Sequence, residues 1–383
     1  TGAQVATPGA EKSIADGRFP VYARFCGGEP HASLLPAAIL DGDPYKIRSL
    51  IVYGASLITA WPDPNRWRRA LRELDFLVTI DLQLTADAAY ADIVLPAATG
   101  FEQESYCYYG SALRRREKMI EPVGQSRPGF QILGELAGHL GYGDLYPGTP
   151  RQALERVLAG SGFTVDDVMA ADRQVIRQEP KNMVYRKWAE GLLRPDGRPG
   201  FDTPTGKFEI KSTILEEHGY HGLPCYEESW ETPLGNPGLA ERYPLILGTG
   251  PFKPDMKSCL RAVPDFLEKF PYPAVLIHAD DAAERGLSSG DLVVIATARD
   301  SITMRAAVTD RVMTGFVYAP VGGGGPLGTE EWKQANVNQL TDPDQVDPIS
   351  GFPTYKTLLC QIKKKKRQRR KPAVQDPTLG CGS

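Results

Sequence analysis

The stretch FLVTIDLQLTADAAYADIVLP, residues 76–96, decides the fold of the first half of this chain. It holds two apolar runs of strand length, 76–80 and 93–96, with a short helical segment between them. An earlier apolar run, IRSLIVY at 47–53, is followed by a helix whose predicted cap is Asp63. Strands alternating with helices in this way predict a parallel sheet with right-handed crossovers.

Three successive strand ends are predicted in this region. They lie at residues 54–56, at Asp81 and at residues 97–105. Because the carboxyl ends of parallel strands meet at one edge of the sheet, and open α/β sheets bind ligands there, the sequence predicts a ligand site at this edge.

From Tyr243 onward the chain changes to short strands separated by turns. We predict five strands and a closed β-barrel with one or two small helices, one of them a short helix over 278–286 with an Asp cap. The predicted strands are 244–248, 274–278, 291–297, 301–309 and 315–320. A sixth short strand is predicted before the barrel, at 207–210.

Two polar loops flank these strands. One is TGPFKPDMKS at 249–258; the other is NVNQLT at 336–341, which is followed by DPISG at 347–351 and by Tyr355-Lys356. Their lysines, hydroxyls, asparagine amides and glycines are the groups that contact an extended ligand carrying several phosphates. The two loops therefore predict the binding of a large cofactor.

Composition narrows the class of protein. The chain has 383 residues, 42% of them hydrophobic, which predicts two or three globular domains. It contains no run of 18 apolar residues, so no membrane-spanning helix is predicted from this sequence. None of the six cysteines pair as C-x-x-C, so neither a zinc ribbon nor an iron–sulfur cluster is predicted here, and His218, His221 and Cys225 lack a fourth ligand.

Charge is unevenly distributed along the chain. Residues 363–371 contain eight basic residues, without which the chain carries 36 basic and 47 acidic residues. An acidic body with one basic tail is not typical of a protein that binds nucleic acid through a basic face. The tail is predicted to be solvated and disordered.

Long motifs in a fixed order resemble the molybdopterin oxidoreductases of the dimethyl-sulfoxide-reductase superfamily, over about residues 20–362. The motifs are DLQLTADAAYADIVLPAATGFEQE at 81–104, TPTGKFE at 203–209, and the closing N-x-N-x-L-T, D-P-x-S-G and Y-K pattern from Asn336 to Lys356. The ending is similar to the branch that contains thiosulfate and polysulfide reductases and acetylene hydratase.

The resemblance implies an α/β Rossmann-like domain followed by a double-psi β-barrel, the molybdopterin dinucleotide-binding domain. The implied boundaries are 1–149 for the Rossmann-like domain, 150–240 for a mixed connecting region, 241–364 for the barrel and 365–383 for the basic tail. The implied cofactor is molybdenum or tungsten held by bis(molybdopterin guanine dinucleotide).

Carried over position by position, the resemblance implies two groups of cofactor-binding residues. The first group, at the sheet edge, is Ser56, Ile80, Asp81 and Gln103. The second group, on the barrel, is Thr249, Gly250, Phe252, Lys253, Ser258, Asn338 and Lys356. A carboxylate such as that of Asp81 can accept from guanine N1–H and N2–H₂. The sequence departs from the family at two places. GASL at 54–57 replaces the family's usual G-x-N-P, and Gly129 occupies a position where the family often has an aspartate.

The family's N-terminal [4Fe-4S] cysteine cluster and its metal-ligating residue are not found in this sequence. We therefore expect the C-terminal part of a prokaryotic catalytic subunit, periplasmic or cytoplasmic, acting on a small-molecule substrate. The expected partners are the N-terminal part of the same subunit, an iron–sulfur electron-transfer subunit and a membrane anchor subunit, and not nucleic acid. The alternatives are a non-redox hydratase on the same cofactor, a cofactor-free structural subunit of a respiratory complex, and an α/β protein without pterin.

Overall fold

The structure of the chain is a computed structural model, which describes residues 13–15, 17–25, 32–109, 112–177, 184–252 and 259–366. The chain divides into two compact units. Unit 1 comprises Thr1–Glu227, Gly325–Leu327 and Asp342–Thr354, and unit 2 comprises Glu228–Gly324, Gly328–Thr341 and Tyr355–Ser383. The four-part division expected from the resemblance stays a prediction.

Unit 1 contains two small sheets and their helices. Its strands are β1 (Ser49–Tyr53), β2 (Phe76–Asp81), β3 (Ile93–Pro96), β4 (Ser105–Tyr109), β5 (Ala112–Arg116) and β6 (Val175–Arg177). Its α-helices are α1 (Pro20–Phe25), α2 (Leu35–Leu40), α3 (Leu57–Ala60), α4 (Pro64–Arg72), α5 (Gly129–His139), α6 (Pro150–Leu158), α7 (Val165–Ala170) and α8 (Thr213–Glu217).

The first sheet is parallel, in the order β1-β2-β3, so the predicted strand–helix–strand arrangement is confirmed. Successive side chains of β2 point to opposite faces. Leu77 packs with Trp67 and Leu71 of α4 on one face, and Ile80 packs with Ile132 of α5 on the other. Helices cover β2 on both faces, which is the usual environment of a parallel strand, whereas most side chains of β1 and β3 are partly or fully exposed. The finer Rossmann-like classification stays a prediction.

The second sheet, β4-β5-β6, is antiparallel and was not predicted from the sequence. Its Leu113 packs against a cluster from α6 and α7 that includes Leu154 and Val168. The strand predicted at 207–210 is wrong. Ile210 is 80% exposed, and the chain turns there because Glu209 accepts hydrogen bonds from the residues on either side of it in sequence, Thr205 and Thr213.

Unit 2 is a closed barrel of six strands in the order β10-β8-β11-β7-β12-β9. The strands are β7 (Leu245–Gly250), β8 (Ala274–Ile277), β9 (Leu292–Ala296), β10 (Ser301–Val308), β11 (Phe316–Pro320) and β12 (Leu358–Lys364). Its α-helices are α9 (Pro237–Arg242), α10 (Pro264–Lys269), α11 (Ala279–Glu284) and α12 (Glu330–Lys333). The predicted barrel and its five predicted strands are confirmed; β12 was missed.

Two helix caps were predicted from the sequence, and one of the two predictions is correct. Asp63 caps α4 as predicted, because its side chain accepts from Arg66 N at 3.0 Å. The Asp cap predicted for the helix at 278–286 is wrong. His278 is the cap of α11, with Nδ1 accepting from Asp280 N, and the buried Asp281 accepts instead from Gly315 N at 2.7 Å.

Candidate functional site: a sheet edge and a barrel rim

The carboxyl ends of β1, β2 and β3 lie at one edge of the parallel sheet, as predicted. Tyr53 pairs with Ile80, and Asp81 pairs with Pro96. The predicted contact Ile80 is itself a core residue: its side chain is buried and its carbonyl accepts from Gly54 N at 2.9 Å. The side chain that β2 presents at this edge is therefore that of Asp81.

Asp81 is the acceptor at this edge. Its carboxylate is half-buried, and among the described residues its hydrogen bond is the local one from Leu82 N to Oδ1, at 2.7 Å. The second carboxylate oxygen has no donor in that part of the chain. A strand-end carboxylate that keeps acceptor capacity suits a ligand with paired N–H donors.

Asp87 organises the neighbouring turn and was missed in the sequence analysis. Its fully buried carboxylate accepts from Leu57 N at 2.7 Å and from Ile58 N at 3.0 Å, so it caps α3 in place of Ser56, the residue that precedes the helix. Burial raises the pKa of Asp87, and the two backbone donors and the Ser56 hydroxyl oppose that rise. The signal available in the sequence was the position of Asp87 within the motif at 81–104.

The third strand end leads into the loop that carries Gln103. Its amide Nε2 donates to Ala98 O at 3.1 Å. The side chain of the preceding residue, Glu102, is buried inside this loop. Its carboxylate accepts from Thr99 N and from Val123 N, each at 2.6 Å. Those backbone donors lower the pKa of Glu102 to about 2, so the carboxylate is charged at neutral pH.

A cavity of about 290 Å³ opens beside Gln103. Arg115 lies in its wall and donates through Nε to Glu104 at 2.7 Å and through Nη1 to Glu117 at 3.0 Å. Both contacts raise the pKa of the guanidinium, with the hydrogen bond to Glu104 as the largest cause. The pair fixes the orientation of the β4–β5 hairpin that follows Gln103.

On the barrel, Thr249 and Lys356 are brought together through Tyr355. The buried Thr249 hydroxyl donates to the carbonyl of Tyr355 at 2.7 Å, which ties the end of β7 to the residue before Lys356. Burial raises the pKa of the Tyr355 phenol, so this side chain stays neutral. Lys356 is exposed, and no ion pair engages it among the described residues. It is a free cation on the rim of the barrel.

Gly250 and Phe252 have structural roles in the described part of the chain. A Cβ at Gly250 would lie 2.3 Å from the hydroxyl oxygen of Tyr318, whose hydroxyl donates to Pro251 O at 3.0 Å. Phe252 stacks edge-on against Phe270, with the ring centroids 5.1 Å apart. The predicted contacts Lys253 and Ser258 lie outside the described residues.

Asn338 lies in a short 3₁₀ turn, Val337–Leu340, that is locked from both sides. Asn338 N donates to the side chain of Asn336 at 3.1 Å, and the Thr341 hydroxyl donates to Asn338 O at 2.7 Å. Gly324 packs closely against the residue that precedes the turn: a Cβ at Gly324 would meet the Cβ of Asn336.

A buried ion pair also holds this turn. Arg299 donates through Nη2 to both carboxylate oxygens of Glu231, at 2.7 and 2.9 Å, and through Nε to Leu340 O at 2.8 Å. Glu231 also accepts from Leu359 N of β12 at 2.9 Å. The Glu231–Arg299 pair therefore joins the β9–β10 hairpin, β12 and the Asn338 turn. The sequence analysis did not identify this pair.

These residues fit the cofactor implied by the resemblance only in part. Asp81 and Gln103 are partly exposed and Lys356 is exposed, and they supply an acceptor, an amide and a cation. Thr249, Gly250, Phe252 and Asn338 are engaged in holding the barrel rim. Within the described ranges, no group of three or more His, Cys, Asp or Glu side chains is arranged to hold a metal ion, and no helix is long and apolar enough to cross a membrane.

Comparisons with known proteins match both units. The molybdopterin oxidoreductase family matches residues 40–139, and the molydopterin dinucleotide binding domain matches residues 245–359. Together the two matches support molybdenum or tungsten bis(molybdopterin guanine dinucleotide) as the cofactor.

Among curated relatives, the chain is 29% identical over 333 residues to a probable oxidoreductase, YoaE, of Bacillus subtilis, covering 86% of this chain and 46% of the relative. It is 28% identical over 344 residues to the F420-dependent formate dehydrogenase subunit alpha of Methanocaldococcus jannaschii, covering 88% and 46%. The chain thus spans about half the length of these relatives.

Among solved structures, acetylene hydratase from Pelobacter acetylenicus superposes with a TM-score of 0.75 at 20% identity, covering 93% of this chain and 52% of that one. At this identity the likeness concerns the fold alone.

Proposed function

The chain belongs to the molybdopterin oxidoreductase family, and from this premise we propose that it forms the C-terminal part of an oxidoreductase whose molybdenum or tungsten is held by two molybdopterin guanine dinucleotides. The observation that carries the proposal is the pair of domain matches, in order, over the parallel sheet of unit 1 and the barrel of unit 2. We further propose that the barrel is of the double-psi type and the α/β domain Rossmann-like.

Within this proposal the residues of the chain bind and orient the cofactor. Asp81 accepts from guanine N1–H and N2–H₂, and Gln103 contacts the same dinucleotide. Lys356 neutralises pyrophosphate charge at the barrel rim. Thr249 and Asn338 hold the backbone of that rim in place. The cofactor, when bound, supplies a metal centre for oxygen-atom or sulfur redox chemistry.

The proposal is tested by the cofactor content of two variants, Asp81→Ala and Lys356→Ala. Each removes a charge-assisted hydrogen bond worth about 1.5–3 kcal/mol, so affinity for the dinucleotide falls about 10- to 150-fold. The protein is produced in a host that makes the cofactor, and bound molybdenum, tungsten and acid-released GMP are measured. We expect both variants to lose metal and GMP together.

Two matched controls accompany these variants. Asp75→Ala removes a surface carboxylate that pairs with Arg48 at the opposite end of β2, and Lys269→Ala removes an exposed cation from the end of α10. Both controls should keep full cofactor content. Normal metal and GMP in Asp81→Ala and Lys356→Ala would show that these two residues do not hold the cofactor. A wild-type protein without either would favour a cofactor-free structural subunit.

The substrate class is the finer part of the proposal. We propose thiosulfate or polysulfide reduction, on the closing motif from Asp347 to Lys356. Oxidation of reduced methyl viologen by thiosulfate, polysulfide and dimethyl sulfoxide would rank these acceptors. A non-redox hydratase on the same cofactor is the second candidate, because the closing motif is similar to the branch that contains acetylene hydratase as well as thiosulfate and polysulfide reductases. It predicts product formation from an alkyne without consumption of the reduced dye.

Partners follow from the same proposal. The rest of the catalytic subunit would supply the metal ligand and a [4Fe-4S] centre, and a separate iron–sulfur subunit, with or without a membrane anchor, would carry the electrons. Co-purification of an affinity-tagged full-length protein with an iron-containing subunit would support this assembly, whereas full activity in the isolated chain would contradict it.

A further inference from the structure

A groove on the outer wall of the barrel lies apart from the residues discussed so far. Its volume is about 480 Å³, within the range of ligand-binding clefts. It is lined by Arg242, Tyr243, Val294, Ala296, Gln361 and Lys363.

The alternation of β9 and β12 builds this groove. Ile295 and Ile362 are cross-strand partners and point into the barrel core, where both are buried. Their neighbours therefore point outward: Lys363 lies opposite Val294, and Gln361 lies opposite Ala296. Helix α9 ends beside this wall at Arg242.

The charged side chains that line the groove are both positive. Arg242 and Lys363 are both exposed, and neither makes an ion pair in the described part of the chain; the Arg242 guanidinium lies 5.6 Å from the centre of the Tyr243 ring. The next lysine along the strand differs, since Lys364 pairs with Asp291 at 2.8 Å. Two cations thus face the groove, and the described residues give neither of them an acidic partner.

The other lining groups add donors and an apolar floor. The side-chain oxygen of Gln361 accepts from Ile362 N at 2.9 Å and from Arg285 Nε at 3.5 Å, so the amide nitrogen is the group left to face a ligand. Val294 and Ala296 form an aliphatic floor between the polar walls. The matching ligand has anionic groups beside an apolar one.

We propose that this groove docks an acidic peptide segment, carrying aliphatic or aromatic side chains, of another protein. The peptide binds through its side chains and not by adding a strand, because β12 is already paired on both sides in a closed barrel. The groove contributes two cations beside an aliphatic floor, which matches a short acidic peptide. Lys363 also begins the basic run 363–371, and that run is what a nucleic acid or an anionic membrane, which need many basic contacts, would engage. The proposal is independent of cofactor binding.

The test measures fluorescence anisotropy of a labelled peptide that alternates glutamate and leucine, titrated with the full chain. Lys363→Glu and Arg242→Glu should each weaken binding about tenfold at 50 mM salt, since each removes an attraction and adds a repulsion. Salt at 300 mM should weaken binding to the wild type more than to the variants. Lys269→Glu, with the same change of charge on α10, should bind like the wild type.

Two further probes separate the alternatives. A peptide with glutamine in place of glutamate, and one with serine in place of leucine, should both bind more weakly than the original. Equal weakening by Lys363→Glu and Lys269→Glu would overturn the proposal, because net charge alone would then explain binding. If binding of vesicles that contain phosphatidylserine depends on Lys363 while binding of the peptide does not, the proposal is overturned in favour of a lipid surface. The basic residues beyond Lys366 are unchanged in every variant, so they do not enter the comparison.

Discussion

The buried pair Glu231–Arg299 provides a quantitative test of how the barrel holds the Asn338 turn. Glu231 is 3% exposed and accepts three hydrogen bonds, two from Arg299 and one from Leu359 N. Glu231→Gln keeps an oxygen for Leu359 N but places an amide against the guanidinium, so the charge-assisted contacts are lost. Glu231→Ala also leaves the Leu359 N–H buried without an acceptor.

The magnitudes follow from these contacts. Breaking a buried pair costs about 3–5 kcal/mol, but the Arg299 side chain is 19% exposed and is partly rehydrated, which reduces the cost for Glu231→Gln to about 2–3 kcal/mol. For Glu231→Ala the orphaned N–H adds about 1–2 kcal/mol. The midpoint of thermal unfolding of the barrel should fall by about 3–5 °C for each kcal/mol.

Urea unfolding followed by tryptophan fluorescence measures these differences. Trp332 is a suitable reporter because it is buried in unit 2, where Nε1 donates to Phe270 O at 2.9 Å. The matched control is Glu284→Gln, which alters an exposed pair with Arg285 at 3.2 Å and should cost less than about 0.5 kcal/mol. If Glu231→Gln unfolds within 0.5 kcal/mol of this control, the pair does not hold the barrel together and the reasoning is wrong.

Two further predictions concern stability. The pKa of Glu102 is about 2 in the folded protein, below its ordinary value of 4.5. Its stabilising contribution is therefore complete above pH 4.5 and is lost as the pH falls toward 2. Between pH 5 and 3 the free energy of unfolding should fall less steeply in Glu102→Gln than in the wild type, and parallel curves would contradict this. Gly250→Ala should lower the free energy of unfolding in urea by about 1–3 kcal/mol, because the new methyl group meets the Tyr318 ring. Gly238→Ala, in open space within α9, should be neutral or slightly stabilising. Equal effects of the two substitutions would refute the steric argument.

Patterns that repeat locally in the sequence were sufficient to predict the main elements. The apolar runs at 47–53, 76–80 and 93–96 predicted three strands, because a strand buried on both faces is continuously apolar. The connecting helix predicted the parallel order, and Asp63 predicted the start of that helix. Glycine- and proline-rich turns between short strands predicted the barrel.

Local patterns misled at two places. The alternation at 207–210 suggested a strand, but the described part of the chain pairs no strand with it, and Glu209 ties the segment into a turn through Thr205 and Thr213. Asp87 was not identified, although it caps α3 from 30 residues away. That second contact follows from tertiary packing and leaves no periodic signal.

The sequence by itself determined the family, the order of the two domains and the edge of the sheet where polar residues gather. Those features depend on motif order, on apolar periodicity and on the carboxyl ends of parallel strands, all of which are read along the chain. Only the tertiary structure decided which candidate residues keep polar atoms unused by the described part of the chain, as Asp81 and Lys356 do. It also decided which hold the rim, as Thr249 does through its hydroxyl and Asn338 through its backbone. Hydrogen-bond capacity is finite, and its allocation depends on neighbours that the fold brings together.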